Sequence, residues 1–533
     1  MEKRVVLSLV LSFLFLIAWQ AVFPTPKPVG EKKTQVFQNK EVVVVSQSSD
    51  VEDRPEETED IVSTENEGEI LTIANDKIQA KISTYNGALV STKILAYNAE
   101  LPVLDVFDLV DFDGLIYTVV ESDSNHVVLS AQKGSLDIRK IYMVSDGEFL
   151  VNADVQISNT GSGSVAVSPD VQPFLVDTDL LGEGIEKSRD RSLLEYSVYQ
   201  DDKVFRKTGA FHFSDKDHKR EYGNPNWFGF RNRYYCLIVK PNFDVNGYEI
   251  IPKNKKNLKM VAFLNDQTLD PGKSLELSAS IYVGPQQSSL LESYGKGFEK
   301  IHVYFRLGFF DAIAKIIEDM IKFMHRFIPN WGLSIIFVSL LIYFSFYPLT
   351  MKSMLSMRKM QSLQPEIVEL REKYEKNPQK LNQEIMKLYA ENKVNPLGGC
   401  LPLLLQMPIF ICLYQMIWRS VLFNGSGFLW IKDLSQPDRF IVLNKSFPII
   451  GNEINILPLI ILVLMVIQQR MTAKNMNSTD PNQIAQQKMM MFMMPAVLFF
   501  VFYHIASGLS LYFTVFYIVS SFTQWRIGKK AQG

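Results

Sequence analysis

At 533 residues the chain is too long for one ordinary hydrophobic core, so two or more domains are expected. Its 55 Lys and Arg against 57 Asp and Glu leave a formal net charge of -2, and no basic patch of the kind nucleic acid requires stands out. Three cysteines, Cys236, Cys400 and Cys412, give no disulfide framework, and two of them fall in apolar stretches where a cysteine acts as a small filler.

Mean hydropathy close to zero, +0.03, averages a polar half and an apolar half. The chain begins Met1-Glu2-Lys3-Arg4 and runs into an apolar stretch over 5–22 without a small-x-small cleavage signal, since Trp19, Gln20 and Phe23 stand where small residues would be needed. Residues 1–23 are therefore expected to form an uncleaved transmembrane anchor, with Lys3 and Arg4 holding its start in the cytosol. From 24 to 68, prolines give way to a polar run that is acidic over 50–60, too poor in apolar area to fold, and a disordered linker is expected. Recruitment by its acidic part is the alternative to a solvated tether.

Residues 69–290 alternate short β-branched and aromatic runs with turn signals: Asn86-Gly87, Asp113-Gly114, Asp146-Gly147, the stretch 159–163 and Asp270-Pro271-Gly272. That spacing predicts a β-sandwich rather than alternating strands and helices. The stretches 140–144 and 275–283 have the two-residue period of half-buried strands. No clustered metal ligands, phosphate loop or nucleophile motif occurs here, and no cofactor is expected. His212 and His218 near Asp215 and Asp217 suggest a metal site, but spacing supplies no third ligand, and a charged surface loop is the plainer reading.

Over 304–328, Phe309, Ile313, Ile316, Ile317, Met320, Phe323 and Met324 recur at helical spacing, while Asp311, Lys315, Glu318, Asp319 and Lys322 take the other face. Residues 291–330 are read as an amphipathic helix lying on the membrane surface, turned into the next segment by Pro329-Asn330. A membrane core over 331–526 follows, with spans expected at 331–351, 397–418, 454–471, 489–505 and 508–526, six with the anchor. Between the first two, a hairpin over 352–396 carries Arg358, Lys359, Arg371, Lys373, Lys376, Lys380, Lys387 and Lys393, which keeps it in the cytosol with both termini and the loop 470–488. The loop 424–453 then lies outside.

Within the hairpin, Pro365 suits a first helical turn ahead of Ile367, Leu370 and Tyr374, and Asn377-Pro378 opens a second helix with Leu381, Ile385 and Leu388. Two short amphipathic helices that pair are expected. The turn 504–508 is too short for anything but an antiparallel helical hairpin, and 527–533 is a short basic tail.

Polar groups inside spans are costly and face a cavity or another helix. In the last span Ser510, Thr514, Tyr517, Ser521 and Gln524 step by four, three, four and three, one helical stripe. Ser339, Tyr343 and Tyr347 form a second stripe on the span before the hairpin, and Gln406 adds an amide in the next. These are candidate lining residues of a water-accessible cavity, with hydroxyl-mediated helix packing as the alternative. The methionine-rich run 489–494 offers an adaptable apolar slide, or plain packing.

The ordered set Trp331-Gly332, Tyr347-Pro348-Leu349-Thr350, the helical hairpin, Val394-Asn395-Pro396-Leu397-Gly398-Gly399-Cys400 and Gln406-Met407-Pro408 resembles the YidC/Oxa/Alb family of membrane protein insertases, in its Gram-negative type with a large periplasmic domain. The resemblance implies a multi-domain protein of the cell inner membrane: a periplasmic β-supersandwich of sugar-enzyme-like shape, in which Asn226-Trp227-Phe228-Gly229-Phe230 matches the family's tryptophan segment, and an α-helical polytopic membrane domain with a five-helix core. It implies a hydrophilic groove open to cytosol and lipid. There the polar tail of a nascent membrane protein enters while its apolar segment slides along neighbouring helices. Nascent membrane proteins, membrane lipids, a Sec-type translocon and ribosome-nascent chain complexes are the implied partners.

On that alignment the family's groove arginine falls on Tyr343, a hydroxyl is kept at Ser339, Tyr347 is kept, and Phe513 lacks the hydroxyl usual in the family. The pull on acidic tails is thereby weakened, and Arg358 lies fifteen helical residues further on, ~22 Å along a straight helix. The expected function is insertion and folding of nascent proteins, with no enzymatic activity. A solute transporter would show inverted repeats and Gly-interrupted paired helices. An intramembrane serine protease, suggested by His504 and Ser507-Gly508, would show a Gly-x-Ser-Gly motif. Neither signature is present.

Overall fold

A computed structural model describes residues 68–177, 193–208, 217–254, 257–375, 377–394, 401–447, 451–473 and 493–530, and the chain divides into two compact units, Met1–Pro285 and Gln286–Gly533. The expected anchor and linker, His212, Asp215, the Asn395 to Cys400 motif, most of the 470–488 loop and residues 489–492 of the methionine run lie outside the described residues.

Unit 1 is an antiparallel β-sandwich. Its larger sheet runs from Lys203–Thr208 at one edge through Glu195–Gln200, Trp227–Arg231, Tyr235–Pro241, Ser274–Pro285, Leu150–Asn159, Leu136–Val144 and His126–Lys133 to Thr118–Ser122. A second sheet, with Gly247–Pro252 and Asn257–Phe263 at its centre, packs on it where Phe228 meets Tyr248 and Phe230 meets Phe174 edge-on. Along Leu136–Val144 every second residue is buried, the pattern of a strand with one covered face. Trp227–Arg231 is buried at all five positions, so the tryptophan segment is core.

The turn signals act as such. Asn86 and Gly87 both take positive φ, +56° and +54°, between strands Ile78–Ser83 and Leu89–Ile94. A Cβ on Gly87 would stand 3.1 Å from both Lys140 Cδ and the Tyr117 ring, so glycine is needed for space as well as for φ. Beneath this turn lies a fully buried ammonium: Lys140 Nζ donates to the Asn86 carbonyl at 2.6 Å and to Asp108 Oδ1 at 3.1 Å. Period two alone puts Lys140 on the covered face of its strand; only these partners make that burial tolerable.

Beside this pair, burial and then the charges of Asp108 and Asp113 raise the Asp105 carboxyl from its ordinary 3.8 to about 6. The unfolded chain therefore releases this proton first, and Asp105 costs unit 1 stability as pH climbs from about 4 to about 6, a loss that persists above. Asp105 sits at φ +46°, which asparagine tolerates. The Asp105→Asn protein is expected to unfold a few degrees higher than its parent at pH 7.5 and at the same temperature at pH 4. Equal gains at both pH values, read by thermal denaturation, would contradict this.

Unit 2 is helical. After α1 (Ser288–Ser293), α2 (Gly308–Phe327) docks through Ala314, Ile317 and Ile321 on the core built by the later helices. The expectation of one solvated charged face on α2 is corrected, because Asp311 and Glu318 are buried. Asp311 Oδ1 accepts the backbone amides of Tyr304 and Phe305, and each acid pairs with a lysine four residues on, Lys315 at 3.0 Å and Lys322 at 3.2 Å. The outward face instead presents Phe309, Ile316, Phe323 and Phe327.

The first expected span is broken. α3 (Trp331–Ser345) and α4 (Tyr347–Ser362) meet at 59°, with Phe346 at φ -96° and ψ 2° between them. Pro348 supplies the cause, since it has no amide to donate and its ring crowds the preceding turn. In the hairpin, α5 (Gln364–Lys373) has Pro365 in its first turn and α6 (Pro378–Glu391) is capped by the Asn377 side chain. Leu363, Ile367 and Val394 form the small core beneath them.

α7 (Leu401–Arg419), α8 (Ile456–Ala473), α9 (residues 493–503) and α10 (Ser507–Lys530) complete the bundle. Among the described residues no single helix is long and apolar enough to cross a membrane by itself, while α3 and α4 pass that test as a bent pair.

Candidate functional site

Unit 2 pairs an apolar core with an exterior that is apolar too. Leu333, Phe337, Leu341 and Phe344 on α3, Leu459, Val463 and Ile467 on α8, and Ile518, Phe522 and Trp525 on α10 are exposed, each set at steps of three or four. The hydroxyls of Ser334, Ser339, Ser510, Thr514, Ser520 and Thr523 belong to buried residues. Hydrocarbon solvent favours this distribution and water opposes it.

α10 packs against α3 and α7, and of the predicted residues Tyr343 and Gln406 bond to it from those two helices. Ser339, Tyr343, Ser510 and Thr514 are each less than a tenth exposed, so they do not front open water in this arrangement. The reason is local: Ser339 Oγ donates to the Ile335 carbonyl at 2.6 Å and Thr514 Oγ1 to the Ser510 carbonyl at 2.9 Å, each within its own helix. Ser510 Oγ is buried and has no hydrogen-bond partner among the described residues. Gln406 Nε2 donates to the Tyr512 hydroxyl at 2.9 Å, tying α7 to α10. Phe513 stacks edge-on against Phe410 and lies beside Tyr517.

Tyr343 joins α3 to α10. Its hydroxyl donates to Thr523 Oγ1 at 3.0 Å and its ring rests edge-on against Phe516. A neutral tie thus occupies the position where the resemblance places a cation. Tyr347 lies past the break, partly exposed, its ring centroid 6.5 Å from that of Tyr343.

Thr523 and Ser520 escaped the sequence reading. They lie one position around the helix from the predicted stripe, and Ser520 Oγ accepts from Gln468 Nε2 of α8 at 3.0 Å. The amide pair Gln468-Gln469 at the end of an apolar segment was the available signal.

Of the hairpin cations, Arg358 is half-buried and its Nη1 donates to the Ile527 carbonyl at 2.8 Å. Lys387 pairs with Glu384 at 2.8 Å, Lys373 and Lys380 approach the Tyr374 ring, and Lys359 and Arg371 occupy the last turns of α4 and α5.

At the other end of the bundle the segment 424–455 is stitched across several helices. Asp438 Oδ2 accepts the amides of Ile456 and Leu457, which caps α8, and the Trp430 indole at 3.2 Å. The backbones of Gln436 and Leu434 accept from Ser507 and Gly508 at the start of α10.

Of the charged set read as a surface loop or a metal site, His218 pairs with Glu249 at 2.6 Å and Asp217 with Lys207, while His212 and Asp215 lie outside the described residues. Ser507 Oγ donates to the Asp433 carbonyl at 3.0 Å, while His504 Nδ1 faces the Phe500 carbonyl, so these two form no nucleophile and base.

A β-sandwich carried by a helical unit with buried hydroxyls and an apolar exterior defines a membrane protein with a large extramembranous domain. The family model described as 60Kd inner membrane protein matches residues 323–533, and that described as YidC periplasmic domain matches 112–319. The membrane protein insertase YidC of Cupriavidus metallidurans is 31% identical over 87% of this chain and 83% of its own. That of a Janthinobacterium species is 32% identical over 87% and 84%. A crystal structure of an active YidC insertase with its first transmembrane domain resolved covers 85% of this chain and 92% of its own at 19% identity, with a TM-score of 0.38. The chain belongs to the YidC family of membrane protein insertases and is an inner-membrane protein. The family is not catalytic, which sets aside the protease, and it is not a solute transporter.

Proposed function

We infer that this chain inserts nascent membrane proteins into the inner membrane and helps them fold, by leading their polar tails along the hydroxyl seam of Ser339, Tyr343, Gln406, Ser510, Thr514 and Tyr517. Phe513 and Tyr347 flank the path. In this reading the seam is packed at rest and parts on the cytosolic side when a tail enters. The tail's backbone and polar groups then exchange bonds with these side chains, of which Ser339 and Thr514 otherwise bond within their own helices and Tyr343 and Gln406 across to α10. A central charge costs ~2.5 to 3.5 kcal/mol even on insertion scales, and each unpaired backbone group several more, so a polar path lowers the barrier. The apolar part of the client leaves sideways across the exposed stripes of α3, α8 and α10 into lipid.

The observation that carries the reading is Ser510, a buried hydroxyl without a hydrogen-bond partner among the described residues of the bundle. Such a group costs about 1 to 3 kcal/mol and persists where it has a use. Ser510→Ala is therefore expected to raise the unfolding temperature in detergent while slowing insertion of a small single-span client into liposomes roughly threefold, in line with about 0.6 kcal/mol per intramembrane hydrogen bond. Unchanged insertion by the stabilised variant would overturn the reading.

Topologically, we place the amino terminus, the hairpin and the carboxyl terminus in the cytosol, the sandwich and the 424–453 loop in the periplasm, and six spans between them. The lysine and arginine residues between spans support this orientation. A Sec-type translocon and ribosome-nascent chain complexes are the partners this topology admits, the latter at the hairpin. The basic tail, with Arg526, Lys529 and Lys530, is too short to add much.

A further inference from the structure

We propose that Arg358 is a positioning residue for insertion: it latches the cytosolic hairpin to the end of α10, so that the hairpin and the wall of the hydroxyl seam move as one body. The proposal rests on the insertion reading above and adds to it the element that couples the hairpin to the seam.

Three residues on one stripe of α10, Ser520, Thr523 and Ile527, step by three and four, and each bonds to a different helix. Ser520 Oγ accepts from Gln468 of α8 at 3.0 Å, Thr523 Oγ1 from Tyr343 of α3 at 3.0 Å, and the Ile527 carbonyl from Arg358 of α4 at 2.8 Å. Arg358 is the charged member of the three. Its acceptor lies in the last described turn of α10, toward the carboxyl end at which the aligned peptide dipoles are negative. A guanidinium is suited to this position, being always charged and weakly hydrated for a cation. Ile527 is itself buried and Arg358 half-buried, so the bond is shielded from water.

The mechanical consequence follows from the chain path. α4 leaves α3 at a 59° break, so its direction is not set by helical continuity, and an external tie has to hold it. On its other side α4 passes into α5 through Leu363, which is packed with Ile367 and Val394 in the hairpin core. A pull on the hairpin is thus passed through α4 and Arg358 to the last turn of α10, one helical turn from the Tyr343 to Thr523 bond that joins α3 and α10. A nascent chain that displaces the hairpin would in this way loosen the seam it is about to enter.

The test uses the full-length protein in lipid nanodiscs, with Cys236, Cys400 and Cys412 replaced by alanine and spin labels at Met386→Cys and Phe522→Cys, two exposed sites on α6 and α10. Arg358→Ala is expected to broaden the distance distribution between these labels and to slow client insertion by on the order of tenfold or more, the low end of what a lost charge-assisted hydrogen bond gives. Arg358→Lys, which keeps a donor and a charge, should recover most of both. A second label pair, Leu341→Cys with Phe522→Cys across α3 and α10, should stay unchanged and excludes general unfolding. An unaltered hairpin distance in Arg358→Ala overturns the latch. So does broadening confined to discs containing phosphatidylglycerol, which would mean that Arg358 holds an anionic headgroup. Broadening with parental insertion removes its role in function. Failure of the parent itself to insert any client would instead overturn the insertion reading and leave the distance result standing.

Discussion

Replacing Glu195 with alanine is expected to destabilise unit 1 by ~3 to 5 kcal/mol, a large share of the ~5 to 15 kcal/mol that holds an ordinary domain together. Glu195 lies across from Arg231 on one neighbouring strand and beside Arg206 on the other. Its Oε1 accepts from Arg206 Nη1 at 2.7 Å and from Arg231 Nε at 2.8 Å, and its Oε2 accepts from Arg231 Nη2 at 3.0 Å. Glu195 is 1% exposed and Arg231 2% exposed. Without the carboxylate a buried guanidinium loses its counter-ion in a medium that cannot solvate it. Thermal denaturation of the full-length protein, followed by its β-sheet signal, should show a drop of about 10 °C. Arg206→Ala, at the wetter end of the triad, should cost much less. If the two variants fell equally, the buried pair would not be the source of the effect.

The second large effect is expected at Gly332. A Cβ there would stand 2.2 Å from Phe428 Cγ, 2.5 Å from its Cδ2 and 2.6 Å from its own Cβ. Because the clash reaches Phe428 Cβ, rotating the ring does not relieve it, and the turn from Phe428 to Ile431 has to shift. That turn is closed by two backbone bonds of 2.9 Å and carries Leu429 at φ +53°. It also carries Trp430, whose indole bonds Asp438, the residue that caps α8. Gly332→Ala is therefore expected to cost about 1 to 3 kcal/mol through overpacking and to abolish most insertion by loosening the stitched end of the bundle. Gly508→Ala is the milder comparison, since a Cβ there would meet the Ile417 methyl at 3.0 Å, the Leu434 carbonyl at 3.1 Å and Ile335 Cδ1 at 3.2 Å, a shift of tenths of an ångström rather than a clash. Unfolding in detergent and insertion into liposomes, measured on both, would refute the argument if Gly508→Ala proved the more damaging.

The Gly332 result also shows what a motif conceals. Trp331-Gly332 is legible in the sequence as part of an ordered set that resembles one family, and that set was enough to indicate the class of protein. Its physical basis, a ring from a loop almost a hundred residues away, was not legible. The hairpin shows the opposite case. Pro365 and Asn377-Pro378 mark two helix starts by local chemistry alone, and the helices begin there.

What the amino-acid order determined by itself was whatever depends on near neighbours: the turns at Asn86-Gly87 and its kin, the two-residue period of the strands and the helical stripes. Tertiary structure alone decided which stripe meets which partner. It gave Tyr343 a bond to Thr523, 180 residues away, sent Asp311 and Glu318 inward, and placed Lys140 in a dry core with Asp108. Periodicity states that residues share a face. Whether that face meets lipid, water or another helix is set by long-range packing, in which an isolated polar group is expensive and a paired one is not.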